Sequence, residues 1–176
     1  LLTNWDLDTL INEFKNETPV FFLLTNSRSL SQKESSEIFR DISENIIKAS
    51  KVTNRDFTII SRSDSTLRGH FSEIEIVKEA SNFNEAITVF IPVMFEGGRV
   101  TVNDTHYISE HEHLTPVNKT PFSKDHTFAY SNANLKAYIE EKTQGNIKAS
   151  NVVSLDIESI RTLDVNTLST QIKSVE

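Results

Sequence analysis

The sequence predicts an α/β fold: three layers, with a mostly parallel, Rossmann-like sheet, helices on both of its faces and a β-hairpin insertion. Three observations carry this expectation. Continuous apolar runs at 20–25, 57–60 and 86–93 read as strands buried on both faces, the usual mark of parallel pairing. Between them, apolar residues recur at three- and four-residue steps, as in helices laid on a sheet. Each run opens into a polar loop that carries an arginine. In an open sheet such loops lie at the carboxyl edge, where ligands bind.

Residues 6–15 read as the first helix, with Leu7, Leu10, Ile11 and Phe14 on one face and Asn4 or Asp6 as cap. The run 20–25 follows Pro19 and ends in Asn26-Ser-Arg-Ser29. Ser31 and Glu34 form a capping box that opens the next helix. Its stripe is Ile38, Ile42 and Ile46, with Phe39 and Ile47 beside it. After the run 57–60 and its loop, Phe71, Ile74, Val77 and Ala80 give a helix to about residue 81. The run 86–93 leads to segments 99–101 and 105–108, which flank Asn103-Asp104 and predict a hairpin. Residues 109–130 show no periodicity and contain Pro116 and Pro121, so they read as a long ordered loop. Ser131 caps a helix to about residue 143, with Leu135, Tyr138 and Ile139 inward and Gly145 as its stop. A further strand is expected over 151–155 and a last helix over 165–175.

Composition narrows the function classes. The 176 residues are 37% hydrophobic and 24% charged, enough for one domain with a core. Eighteen basic residues against 25 acidic ones give a net charge of −7. That argues against general nucleic-acid binding, although an acidic chain binds an anion where it gathers its arginines. The absence of cysteine excludes disulfides and thiolate metal sites and fits a cytoplasmic setting. No apolar run is long enough to span a membrane. The start, Leu1-Leu-Thr-Asn-Trp, has neither an initiator methionine nor a signal pattern, so the chain is expected to be a fragment.

Four of the seven arginines, Arg28, Arg62, Arg68 and Arg99, fall directly after the predicted strands. In a parallel sheet those loops share one edge, so their guanidinium groups are expected to meet on one rim. Structural ion pairs with Asp64, Glu96 and Asp104 are the plain alternative. Arg28, Arg68 and Arg99 are the ligand candidates; Arg62 is assigned to structural pairing. The loop after residue 60 is the densest in chemistry. Arg68 can fork two hydrogen bonds onto a carboxylate or phosphate. Asp64 can accept from sugar-type hydroxyls or act as a base. The helix that follows adds unpaired N–H groups.

Two further constellations carry less. Ser65, His70 and Asp64 have the residue types of a hydrolase triad, but they crowd together in sequence and lack a G-x-S-x-G elbow. His106, His111 and His113 with Glu110 and Glu112 have the residue types of a zinc site. Their alternating spacing in a polar stretch reads instead as a solvated segment, and no metal is expected.

Asp64-Ser-Thr-Leu-Arg-Gly-His70 is similar to the DSTLRG(N/H) signature of the four-carbon acid sugar kinases. Ser27-Arg28-Ser-Leu30 resembles that family's S-R-x-L loop. Ile91-Pro-Val-Met-Phe-Glu-Gly-Gly-Arg-Val-Thr-Val102 resembles its P-x-x-P-E-x-G-R-x-T segment, with Met94 at the place of a proline. His106-Tyr107 resembles its G-x-H-Y pattern, with Asp104 where a glycine is usual, and Thr120-Pro-Phe-Ser-Lys-Asp125 resembles its T-x-F/A-x-x-D segment. The matches keep their order and spacing along most of the chain.

The resemblance implies that residues 1–176 are the amino-terminal, sugar-acid-binding domain of an ATP-dependent kinase. Its substrate would be a four-carbon sugar acid such as threonate or erythronate, phosphorylated on a hydroxyl. The implied substrate-binding set is Arg28, Asp64, Ser65, Arg68, Gly69, His70, Glu96, Arg99 and His106. Arg68 with the Gly69 and His70 N–H groups would anchor the carboxylate. Asp64, Ser65 and Glu96 would take the hydroxyls. Arg99 or Arg28 would face the incoming phosphate, and His106 would orient a loop residue or the ligand. No catalytic residue is assigned. The family's opening D-D-x-T-G-A loop and its carboxy-terminal nucleotide domain have no counterpart here. Neither a G-x-x-x-x-G-K-[ST] nor a G-x-G-x-x-G loop occurs, and there are only four glycines. ATP and Mg2+ are therefore expected in the full-length enzyme, with its nucleotide-binding domain as partner, and not on this chain alone. No nucleic-acid or membrane partner is expected, and a homodimer stays open. The alternative is a non-catalytic module for a sugar acid or another small anion.

Overall fold

The computed structural model describes residues 1–16, 18–111 and 113–174. They form two compact units: 1–62 with 69–88, and 63–68 with the chain from 89 onward.

The first unit is built on helices. α1 (Leu7–Lys15) starts where the Asp6 carboxylate accepts from Thr9 N at 2.7 Å. α2 (Gln32–Thr53) starts with the Ser31/Glu34 capping box and stops at Asn54, whose φ of 52° ends the helix. α3 (Ser72–Ala80) follows the signature loop. The facing stripes of α1 and α2 bury Leu10, Phe14, Ile42, Ile46 and Ala49. Each larger side chain of this kind contributes about 1.5–3 kcal/mol on burial. Phe14 also meets Phe21 at 5.7 Å and Phe57 at 6.2 Å, both edge to face.

The expected parallel Rossmann-like sheet with helices on both faces is not formed among the described residues. Residues 20–25 and 57–60 are extended but carry no ladder. A single parallel bridge joins Leu2 to Leu23, through Leu2 N to Phe22 O at 2.7 Å and Leu24 N to Leu2 O at 2.9 Å. The physical reason is one-sided burial. Phe21, Leu23, Phe57 and Ile59 pack on the helical core, while Val20, Phe22, Leu24 and Ile60 face outward. A cavity of about 290 Å³ lies among these runs and α2. Apolar continuity signalled two covered faces, but a sheet also needs backbone partners, and these runs do not supply them to each other. Residues 86–93, the third expected strand, likewise form no ladder, and Val93 N turns back onto Ile91 O at 2.9 Å.

The second unit holds the only named sheet among the described residues, three antiparallel strands in the order β1-β2-β3. β1 (Arg99–Val102) and β2 (Thr105–Glu110) form the expected hairpin, in the register Val102 to Thr105. Asn103 and Asp104 both take positive φ, 48° and 62°, as a two-residue primed turn requires. The stretch read as a long ordered loop carries more regular structure than expected. β2 continues to Glu110, β3 (His113–Pro116) pairs with it, and short 3-10 turns cover Val117–Lys119 and Pro121–Lys124. β3 escaped notice because its side chains are largely exposed, so no apolar alternation marks it.

α4 (Leu135–Lys142) is capped by Asn134, which accepts from Lys136 N and Ala137 N, and not by Ser131. Ser131 N donates instead to the Glu141 carboxylate at 2.8 Å. The expected strand over 151–155 is replaced by a 3-10 turn, Ala149–Asn151, and an extended segment. α5 (Ile157–Thr162) and α6 (Val165–Lys173) close the chain; Val175, the expected end of the last helix, lies outside the described residues. The core of this unit gathers Leu67, Ile108, Val117, Phe128, Tyr130, Tyr138 and Ile139.

Candidate functional site

The loop 63–68 belongs to the second unit and is held there from beneath. Leu67 has a φ of 66° and its side chain is buried in the core. For a residue with a Cβ this conformation costs about 1–2 kcal/mol, so the surroundings must hold it. Three donors do so. His106 Nε2 reaches Ser65 O at 2.8 Å, Tyr130 OH reaches Thr66 O at 2.8 Å, and Tyr138 OH reaches Leu67 O at 2.9 Å. Burial, with nearby negative charge from Asp64, pushes the Tyr130 phenol well above its ordinary value. Burial does the same for Tyr138, with Tyr130 and Glu141 adding to it. Both phenols therefore stay protonated and donate.

His106 is fully buried, and its Nδ1 lies 3.0 Å from the Thr101 hydroxyl. A carbonyl only accepts, so Nε2 carries the proton and Nδ1 accepts from Thr101. Burial holds its pKa below the ordinary 6.5; the Ser65 hydrogen bond opposes this, and the Arg99 charge reinforces it. The unfolded chain then takes the proton first as pH falls. Stability from neutral His106 is present above about pH 6.5 and drains away as pH drops through the lower folded value. Denaturant unfolding is expected to show stability falling between pH 7 and 5. His106→Gln, which does not titrate, is expected to flatten that slope; an unchanged slope would contradict the assignment.

Above the clamped backbone the side chains converge. Arg68 Nε donates to Asp64 Oδ2 at 2.8 Å and to Thr66 Oγ1 at 3.0 Å, and the Thr66 hydroxyl donates to Asp64 Oδ2. Arg68 Nη1 stands 3.8 Å from Asp125 Oδ2, an ion pair beyond hydrogen-bond reach. The Arg68 guanidinium lies 4.9 Å from the centre of the Phe122 ring, and that of Arg99 lies 5.9 Å from the same centre. The two cations are thus no farther apart than the sum of those distances. Arg99 Nη1 donates to Gly97 O, while its Nε is buried with no hydrogen-bond partner among the described residues. Asp64 and Asp125 already set two carboxylates against Arg68, so what the cluster offers a ligand is the Nη edge of Arg68 and the buried Nε of Arg99 as donors.

The structure brings Asp64, Arg68 and Arg99 together and adds Thr66, Phe122 and Asp125. Ser65 lies beside Met94, with its hydroxyl 3.5 Å from the sulfur. Glu96 is exposed in the 3-10 turn Phe95–Gly97. Arg28, Gly69 and His70 belong to the first unit. There Arg28 is exposed in the turn Ser27–Ser29, and His70 Nε2 meets Leu30 O at 3.0 Å. Arg62 is exposed in that unit as well. Glu110, His111 and His113 are exposed around the β2–β3 turn, and Glu112 lies outside the described residues. Among the described residues no group of three His, Asp or Glu side chains is placed to hold a metal. Sequence reasoning missed Tyr130 and the hydroxyl of Tyr138. The available signal was chemical: a tyrosine on a buried face must find its hydroxyl a partner.

Residues 2–175 match the family described as the sugar-binding N-terminal domain. No curated protein and no solved structure matches the chain. Among the described residues no helix is long and apolar enough to cross a membrane.

Proposed function

Because the chain belongs to the family of sugar-binding N-terminal domains, we propose that its ligand is a four-carbon sugar acid of the threonate or erythronate type, bound as the substrate of an ATP-dependent kinase. The observation that carries this reading is the placing of Arg68 and Arg99 on one Phe122 ring beside Asp64. A guanidinium also donates to the hydroxyls of a neutral sugar, but an acidic sugar adds a charge-assisted pair through its carboxylate and keeps its hydroxyls for the neighbouring polar groups.

The Nε edge of Arg68 is committed to Asp64 and Thr66, which fixes the plane of the guanidinium. The Nη edge faces Asp125 in the looser pair at 3.8 Å. An incoming carboxylate takes that edge, where a planar fork matches its two oxygens. The orphaned Nε of Arg99 supplies a further donor. In the kinase, phosphoryl transfer needs positioning and charge neutralisation more than covalent chemistry. Arg99 is the residue of this cluster suited to face the arriving phosphoryl group. Nucleotide and magnesium come with a separate nucleotide-binding domain. This reading rests on residues of the second unit alone.

Asp125 competes with the ligand for Arg68, so its charge opposes binding. Asp125→Asn is expected to tighten threonate binding several-fold and to leave the neutral alcohol threitol unchanged. Its Oδ1 accepts from Thr127 N and Phe128 N at 2.9 and 3.0 Å, and the asparagine keeps an oxygen for them. Titration calorimetry reads the difference; weaker threonate binding would make Asp125 a ligand in its own right. A coupled ATP-consumption assay on the kinase that contains this domain, run with a panel of sugar acids, tests the catalytic context. Turnover on a four-carbon acid supports it, and tight binding without turnover leaves a binding module.

A further inference from the structure

We propose that His106, Tyr130 and Tyr138 are positioning residues for sugar binding, which grip three successive carbonyls of the loop 63–68 and so set the directions of Asp64, Thr66 and Arg68. The ligand named here rests on the sugar-acid reading above; the grip itself does not.

The geometry is specific. Ser65 O, Thr66 O and Leu67 O each accept one hydrogen bond, and the donors come from separate parts of the chain. His106 stands on β2, Tyr130 precedes α4, and Tyr138 lies on α4. A loop held at one carbonyl can still pivot about it. Held at three in succession, the peptide planes between Asp64 and Arg68 have no independent rotation left. The two ligand-facing side chains flank the gripped segment, so both inherit its orientation.

The donors are fixed in turn. The rings of Tyr130 and Tyr138 meet edge-on at 5.6 Å, and Tyr138 stacks on Phe90 at 6.1 Å. His106 is oriented by Thr101. Leu67 plugs the core below the loop and stops it lifting. None of the three donors is exposed enough to meet a ligand: His106 is 0%, Tyr138 3% and Tyr130 5% accessible. Any effect they have on sugar affinity is therefore indirect, through the loop and, for His106, also through its bond to Thr101 on β1. Ordering the loop in advance removes that cost from the binding step.

Tyr138→Phe removes one hydroxyl and keeps the ring. It is expected to speed amide exchange of residues 65–69 in the unliganded protein, with β1 and β2 unaltered. It is also expected to weaken threonate binding about 3- to 10-fold, as for one hydrogen bond. Tyr130→Phe is expected to behave alike. His106→Leu is expected to do the same, and His106→Gln, which keeps an amide donor, to recover most of the affinity. Hydrogen exchange followed by NMR and calorimetric titration, both well below the unfolding temperature, provide the readouts. Loop exchange unchanged in these variants would overturn the grip. Faster exchange with wild-type affinity would overturn the positioning role. Failure of the wild-type protein to bind any four-carbon acid would remove the ligand assignment, and the exchange measurement would still decide the grip.

Discussion

Arg68→Ala is expected to weaken binding of a four-carbon sugar acid by roughly 10- to 150-fold, the loss that goes with a charge-assisted hydrogen-bond pair. A neutral four-carbon alcohol is expected to lose little. The size of the effect has two sources. The fork that receives the carboxylate disappears, and Asp64 and Asp125 lose the cation that both face. Their charge then repels the incoming acid. Arg68→Lys keeps the charge but loses the planar fork and the stacking on Phe122, so it is expected to fall between the two. Calorimetric titration with threonate and threitol separates the outcomes. An equal loss for both ligands would mean that Arg68 serves the fold and not the anion.

Gly98→Ala is expected to destabilise the protein by roughly 2–4 kcal/mol, from left-handed backbone strain plus a steric clash. Gly98 has a φ of 71°, and a Cβ there collides with the backbone carbonyl oxygen of Ser109. That carbonyl belongs to β2, which is tied to the turn by Ser109 N to Gly98 O at 2.7 Å. Backbone on both sides of the clash leaves no inexpensive escape. The drop in thermal midpoint is expected to be on the order of 5–15 °C for a chain of this length. Arg99 follows directly, so sugar-acid affinity is expected to fall as well. Gly97→Ala is the matched control. Its Cβ would meet Arg99 Nη1 at 3.0 Å and Met94 Sδ at 3.1 Å, both ends of flexible side chains. Equal destabilisation by the two substitutions would contradict this account of the turn.

What was legible in the sequence was local. The Asp6 cap, the Ser31/Glu34 box and the Asn103-Asp104 turn each depend on residues within a few positions of one another, and each forms as expected. The sheet was not legible. The runs 20–25, 57–60 and 86–93 announce apolar surface, but not whether one face or two will be covered, nor whether a backbone partner exists. At α4 the sequence reading took Ser131 as the cap, and the register of the helix makes Asn134 the cap instead. The site divides in the same way. Asp64 and Arg68 are four residues apart and were read together. Phe122, Asp125 and Tyr130 reach the loop from more than fifty positions away, through packing that no local pattern encodes. His106 stood out as a ligand candidate or an orienting group, and its buried place beneath Ser65 suits the second.

The side-chain Nε–Hε signals of Arg68 and Arg99, followed by NMR as threonate is added, probe the shared anion site most directly. Both signals are predicted to shift along one saturation curve and to stay still when threitol replaces the acid. Signals that do not move at a saturating concentration of sugar acid, or that titrate with separate dissociation constants, would show that the two arginines do not hold one ligand.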